Sequence, residues 1–322
     1  MHQDQKFLNI HFDEFKNLPH GITLLGMSGV GKTLLSSSLH KSANWFHYSA
    51  DYRIGTRYLA EHILDNIKFK IMRMRDPFVA SLLRSDSIYI NHNITVNNLQ
   101  PVSTFLGMFG DESMGGLDKE TFLSRQALYH RAEVESMKEV GHFIEKSWEI
   151  YNCENFINDA SGSLCEICDI ENSNDPVITA LRNSSLILYI EPDKTYEQEI
   201  KIRAQKFPKP LFYNSEFILP YLNEKPDNGK GVDPIKFVQS LFPNLVEFRR
   251  PQYKSIADKY GFTVKVKDLF KFNTPHETTP SAELFLRLIY EAAVNAAKTS
   301  KKAAINFNNY IKICIDRQNS RK

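Results

Sequence analysis

The segment GMSGVGKT, residues 26–33, has the residue types and spacing of a loop that binds phosphate. Its three glycines let the backbone curl so that several N–H groups point at phosphate oxygens. Lys32 adds a positive charge for the β- and γ-phosphates of a nucleotide, and Thr33 offers a hydroxyl to Mg²⁺. The sequence therefore predicts a nucleotide site made of Gly26, Ser28, Gly29, Val30, Gly31, Lys32, Thr33 and Leu34.

A strand and a helix must hold such a loop in place. Residues 22–25 are a short apolar run that is typical of a buried parallel strand. After the loop, Leu34, Leu35 and Leu39 recur at helical spacing, so a helix is expected to begin near Lys32 and to direct its positive dipole end at the phosphate. The alternative is a degenerate loop that keeps the shape without the activity.

Further apolar segments predict a parallel sheet that is covered on both faces. WFHYS, NFIND and SSLILYIEPD are expected strands, and charged or Leu-rich helical segments alternate with them. About 90 largely helical residues lie between the second and third strands, which is too long for a simple crossover. We expect an α/β P-loop NTPase three-layer sandwich with a helical insertion and a C-terminal helical tail. The expected division is an N-terminal segment at 1–20, a core at 21–275 with insertions near 61–120 and 214–240, and the tail at 276–322.

The composition excludes several classes of protein. The chain has 322 residues, with 40 Lys and Arg against 38 Asp and Glu and a net charge of +2, which gives no electrostatic case for nucleic acid or an acidic membrane. The apolar runs are shorter than the roughly 20 residues of a membrane span. Cys165 and Cys168 form a C-x-x-C pair without the second pair that a zinc site needs. We expect a cytoplasmic protein that binds neither nucleic acid nor membrane.

Several segments, in chain order, resemble shikimate kinase and its nucleoside-monophosphate-kinase-like relatives. HYSADYRIG resembles that family's strand-end segment with two acids, of which Asp51 remains, while Ser49 stands in place of the first. YHRAEVESMKEV resembles a family helix that carries an arginine, here Arg131. DASGS resembles a Gly-rich turn against the substrate and keeps Gly162. The resemblance covers about half of the chain and implies a P-loop kinase fold with ATP and Mg²⁺ as cofactors.

Two later segments carry the resemblance further. RAQKFPKPLF is similar to the family's lid, with Lys209 in place of an arginine, and the resemblance places Arg203 and Lys209 over the phosphates. RRPQYKSIAD is similar to the R-x-P-x-Y segment whose arginine, here Arg249, clasps the substrate carboxylate in relatives. The implied activity is phosphorylation of a hydroxyl on a small, anionic metabolite. Asp51 would orient that hydroxyl, and Arg249 and Arg131 would hold the substrate.

The sequence leaves some residue roles open. Asp51 is alternatively an N-cap of the following helix, and Asp159 is either a Mg²⁺ ligand at a strand end or a turn-forming residue. Arg53 is a further candidate for holding an anion. Two other functions compete: a nucleotide kinase, and a regulatory or interaction ATPase whose insertions and C-terminal helix bind a protein partner. The residues themselves do not distinguish ATP from GTP.

Overall fold

The computed structural model describes residues 10–41, 44–74, 76–270 and 279–321. The chain divides into two compact units. The first unit consists of Met1–Ala50, Val134–Pro208 and Gln239–Lys322, and the second of Asp51–Glu133 and Lys209–Val238. The predicted division at 1–20, 21–275 and 276–322 stays a prediction, and its boundary at 275/276 lies outside the described residues.

The first unit is built on a five-stranded sheet in which every neighbouring pair is parallel. The strand order is β2-β3-β1-β4-β5, so the strand that leads into the glycine-rich loop is the central one. The strands are β1 (Gly21–Leu25), β2 (Trp45–Ser49), β3 (Asn155–Asp159), β4 (Leu186–Glu191) and β5 (Gly261–Lys265).

The central strands are covered on both faces. All five residues of β1 are buried, and so are the first five of β4. Because successive side chains of a strand point to opposite faces, burial of every residue requires packing on both sides of the sheet. This confirms the predicted α/β class and the predicted parallel sheet.

Helices account for most of the remaining described chain. In chain order they are α1 (Phe12–Phe15), α2 (Lys32–Lys41), α3 (Ala50–Arg53), α4 (Ala60–Arg73), α5 (Pro77–Arg84), α6 (Gln100–Leu106), α7 (Lys119–Lys138), α8 (Val140–Tyr151), α9 (Pro176–Arg182), α10 (Lys194–Lys206), α11 (Ser215–Asn223), α12 (Pro234–Tyr260), α13 (Val266–Leu269), α14 (Ala282–Thr299) and α15 (Lys301–Ser320).

The C-terminal helices belong to the core of the first unit. Helix α14 packs on α15, and both contact β5. Phe285 and Phe307 are fully buried, as is Cys314. The predicted helical tail is therefore confirmed, and its apolar face completes the cover of one edge of the sheet.

The second unit is mainly helical and joins two distant stretches of chain. Lys119 Nζ lies 3.1 Å from Asp227 Oδ1. The backbone N–H of Gly231 donates to Asp111 Oδ2 at 2.7 Å, and this bond is the largest cause of the lowered pKa of Asp111. The insertion is helical, as predicted, and these polar contacts hold the two stretches of the second unit together.

Among the residues that the structure describes, no helix is long and apolar enough to cross a membrane.

Candidate functional site

The glycine-rich loop connects the end of β1 to the start of α2. Gly26, Gly29 and Gly31 have φ values of 149°, 91° and 96°, which side chains with a Cβ rarely adopt. Ser28 and Thr33 are exposed beside them. The loop therefore has the curled backbone that a phosphate cradle requires, at the carboxyl end of the central strand, where open α/β sheets bind ligands.

The charge of Lys32 is held inside this loop. Its side chain is buried, with 6% of its surface exposed. Nζ donates to the carbonyl oxygen of Gly26 at 2.6 Å and to that of Met27 at 3.2 Å. These bonds satisfy an ammonium that would otherwise be costly to bury, and they keep it at the centre of the loop.

Other parts of the first unit press closely on the loop. A Cβ added at Gly31 would lie 2.7 Å from the ring of Phe270, and one added at Gly162 would lie 2.9 Å from the backbone nitrogen of Ser28. The turn after β3 and the end of α13 thus fix the path of the loop. Glycine is required at both positions because a side chain would displace these neighbours.

Helix α10 supplies two side chains to the loop. Arg203 Nη2 donates to the carbonyl oxygen of Gly29 at 3.2 Å, and Tyr196 Oη donates to the same oxygen at 3.1 Å. The guanidinium of Arg203 also lies 5.5 Å from the ring centre of Tyr196. The structure therefore brings Arg203 to the loop, and its role at the phosphates stays a prediction, whereas Tyr196 was missed from the sequence.

Polar residues meet where β2 and β3 end. Asp159 is the last residue of β3 and lies in register with Leu24 of β1 and with Ser49 of β2. Its Oδ2 lies 3.6 Å from Nε2 of His47. In the described part of the chain, this buried nitrogen has no hydrogen-bond partner. The carboxylate of Asp159 therefore lies at the end of β3, the strand beside β1, with the imidazole of His47 next to it.

In the second unit, Asp51 receives a hydrogen bond from Tyr129. The Tyr129 hydroxyl donates to Asp51 Oδ1 at 3.0 Å. Asp51 is the second residue of α3, so the alternative that it is the N-cap of that helix is wrong. Arg53 lies 5.9 Å from the ring centre of Tyr58. Arg131 is exposed on α7.

Lys209 belongs to the second unit and lies in the loop between α10 and α11, where it is exposed. Its predicted position over the phosphates stays a prediction.

Arg249 of α12 is one of the most deeply buried charged residues of the first unit, with 2% of its surface exposed. Its Nε donates to Glu166 Oε1, and its Nη1 donates to the carbonyl oxygen of Gly162 at 2.8 Å. Burial lowers the pKa of Arg249, but Glu166 together with Tyr253 and Cys165 raises it, and the pKa stays above its ordinary value. The guanidinium that was assigned to a substrate carboxylate therefore already has a carboxylate partner from its own chain.

Glu166 was not recognised from the sequence. It lies in the short 3₁₀ turn Leu164–Glu166, within SLCEICDI, a segment interpreted only through its cysteines. The only indication of a role was its negative charge next to the small-residue turn. Because a single glutamate forms no motif, this signal was not sufficient to identify it.

The loop residues fit a nucleotide with its magnesium ion. The curled backbone and Lys32 suit phosphates, the exposed Thr33 hydroxyl is a hard oxygen ligand, and Asp159 adds a carboxylate oxygen. Among the described residues, no group of three His, Cys, Asp or Glu side chains could hold a metal ion.

No protein family and no curated protein matches this sequence. A comparison of structures finds the shikimate kinase from Acinetobacter baumannii in complex with shikimate, at 12% sequence identity and a TM-score of 0.37. The likeness covers 88% of this chain and 98% of that chain. The class of this protein follows from its own sheet and loop, which define an α/β protein with a P-loop.

Proposed function

We propose that this protein transfers a phosphoryl group from ATP, with Mg²⁺, to a hydroxyl of a small metabolite. The observation that carries the proposal is the complete phosphate-binding loop at the end of the central strand of a parallel sheet, with its lysine in the loop and its threonine exposed. Phosphoryl transfer depends mostly on positioning and on neutralising charge, and this loop supplies both for the donor.

The donor side is assigned to residues of the first unit. Lys32 and the loop N–H groups would bind the phosphates, and Arg203, which donates to the carbonyl oxygen of Gly29, is proposed to bind a phosphate oxygen as well. Thr33 and Asp159 are the oxygen ligands proposed for Mg²⁺, which when bound neutralises the charge on the phosphates. Ser28 and Val30 belong to the same loop and Leu34 follows it in α2, and all three are proposed to bind the nucleotide.

The acceptor side rests on the family resemblance. Asp51 is proposed to orient the acceptor hydroxyl, and Tyr129 holds one oxygen of this carboxylate at 3.0 Å. Arg131 remains a proposed acceptor-binding residue, Lys209 remains a proposed cation for the departing phosphate, and Gly162 remains a proposed acceptor-side turn residue. ATP, rather than GTP, also rests on the resemblance.

One observation favours a second candidate, a regulatory ATPase that binds a protein partner. Ser49 stands at the end of β2 in register with Asp159, where the resemblance expects an acid. Loss of that acid removes one Mg²⁺-side group, so the loop could bind ATP and hydrolyse it slowly without an acceptor. Asp159 could alternatively take over the role of the missing acid, which keeps the kinase function.

ADP release from Mg·ATP separates the two functions. It should be measured with and without separate pools of neutral polyols, hydroxy acids and nucleotides, with Lys32→Ala as the blank. A kinase releases ADP faster when its acceptor pool is present. A slow rate that no pool changes, and that Lys32→Ala abolishes, would instead support the regulatory ATPase.

A further inference from the structure

Arg249 and Glu166 form an ion pair that is closed to solvent. The exposed fraction of the side chain is 2% for Arg249 and 0% for Glu166. Nε of Arg249 donates to Oε1 of Glu166, and Nη1 donates to the carbonyl oxygen of Gly162. Two of the donors of the guanidinium therefore already have partners inside the protein, and one of these partners is the carboxylate of Glu166.

Tyr253 and Met27 lie next to the ion pair of Arg249 and Glu166. The hydroxyl of Tyr253, one helical turn after Arg249, donates to the same Gly162 oxygen at 2.5 Å and lies 3.6 Å from Met27 Sδ. Nη1 of Arg249 lies 3.9 Å from this sulfur. Since Met27 belongs to the phosphate-binding loop, the ion pair sits directly against the loop that binds the donor.

A buried guanidinium requires an anion, because an isolated charge is very unfavourable away from water. Glu166 provides that anion from the chain itself, before any substrate arrives. A carboxylate from another molecule would have to displace Glu166 and leave a second carboxylate buried without its partner. This penalty selects against acceptors that present a carboxylate at this position.

We propose that Glu166 occupies the anion position of Arg249 permanently, so the acceptor is a neutral hydroxyl compound that brings no carboxylate to this guanidinium. The inference rests on the proposed function, because it names the class of acceptor for the same reaction. Arg249 then acts as a positioning residue that fixes the turn at Gly162 against the loop. It is not an acceptor-binding residue.

The first test observes Arg249 in the wild-type full-length chain without nucleotide. The Nε–H resonance of Arg249, assigned by comparison with Arg249→Lys, is followed by nuclear magnetic resonance during titration with shikimate and with glycerate. We expect slow exchange with water and no shift beyond that caused by an equal concentration of sodium chloride. A saturable shift with either acid would overturn the inference.

The second test removes the internal anion. Glu166→Gln keeps the shape of the side chain, and it should bind shikimate at least tenfold more tightly than wild type does. The double variant Glu166→Gln/Arg249→Gln is the matched control and should lose this gain. If Glu166→Gln does not fold by circular dichroism, the wild-type titration decides. Wild-type binding of shikimate that Arg249→Gln abolishes would also overturn the inference.

A matched pair of acceptors links the inference to turnover. Shikimate and its methyl ester differ in one charge, and so do glycerate and glycerol. We expect the neutral member of at least one pair to stimulate ADP release with a kcat/KM at least tenfold above that of its acid. Preference for the acid contradicts the inference and leaves the kinase function intact. If no acceptor changes the rate of ADP release, the kinase function and the acceptor class are both overturned. An Arg249 resonance that does not shift would still show the ion pair between Arg249 and Glu166.

Discussion

Lys32 is the residue whose charge the donor side depends on most directly. Its ammonium already lies between the carbonyl oxygens of Gly26 and Met27, within the loop that would surround the phosphates. An anion in the loop would therefore meet a cation that is fixed and partly desolvated. This arrangement makes the contribution of Lys32 larger than that of an exposed lysine.

Replacement of Lys32 by alanine should weaken ATP binding. A hydrogen bond to a charged group contributes enough that we expect a loss of at least about tenfold in affinity, measured by calorimetric titration. Lys41→Ala is the control, because Lys41 is exposed at the other end of the same helix. Equal affinities in Lys32→Ala and Lys41→Ala would show that the loop does not bind the phosphates of ATP.

Asp51 should affect turnover without affecting the binding of ATP. We expect Asp51→Asn to lower kcat by about 100-fold or more, as for the loss of a group that orients or accepts a proton, while the affinity for ATP stays within a factor of two. Tyr129→Phe, which removes the hydroxyl that holds Asp51, should give a smaller loss of kcat. Exposed Asp65 is the control, and transfer that persists in Asp51→Asn would remove Asp51 from the mechanism.

At the scale of elements, the loop is shaped by the turn that follows β3. Gly162 lies so close to Ser28 that a methyl group would approach the backbone nitrogen to 2.9 Å. Arg249 and Tyr253 of α12 hold the carbonyl of the same glycine. The turn therefore links α12 to the phosphate-binding loop, so that a shift of one should displace the other.

Gly162→Ala should displace the loop. Overpacking at such a contact destabilises a protein by about 1–3 kcal/mol, and we expect ATP affinity to fall as the backbone of Ser28 moves. Gly141→Ala is the matched control. Gly141 lies within α8, and a Cβ added there would contact only Ser184, at 3.4 Å. Thermal unfolding and ATP titration of both variants measure the effect. Unchanged ATP affinity in a folded Gly162→Ala would refute the coupling.

The sequence predicted the elements whose determinants are local. The strand before the loop, the glycines and the helix after it lie within about 20 residues, and their pattern depends only on backbone geometry and apolar spacing. The missed residues depend on distant contacts. Glu166 lies 83 residues from Arg249, and Tyr196 lies 167 residues from Gly29. Which loops meet is decided by strand order in the sheet, and one sequence does not reveal these pairings.

At the scale of the first unit, His20 links the segment before β1 to the last helix, α15. Its Nε2 lies 3.0 Å from the carbonyl oxygen of Phe15, and its Nδ1 lies 2.8 Å from the hydroxyl of Tyr310 on α15. Since a carbonyl only accepts, Nε2 carries the proton and Nδ1 accepts from Tyr310. Burial lowers the pKa of His20 to about 3, so the ring is neutral in the folded protein.

This histidine predicts a pH dependence of stability. The unfolded chain takes up a proton on His20 below pH 6.5, whereas the folded chain does so only near pH 3. The free energy of unfolding should therefore fall as the pH drops through this window, with a slope from His20 of at most about 1.4 kcal/mol per pH unit. His20→Gln should flatten this slope in urea titrations, whereas His142→Gln, at an exposed position, should not. Identical slopes in all three proteins would contradict the buried neutral ring.

The central claim for the whole molecule is that the γ-phosphoryl group of ATP goes to an acceptor and not to water. The decisive measurement uses ATP labelled with ¹⁸O on the γ-phosphate, incubated with the full chain, Mg²⁺ and the neutral polyol pool, and analysed by mass spectrometry. We expect a phosphorylated acceptor that keeps three labelled oxygens, formed in step with ADP and absent with Lys32→Ala. ADP accompanied only by inorganic phosphate, whichever acceptor pool is supplied, would contradict it.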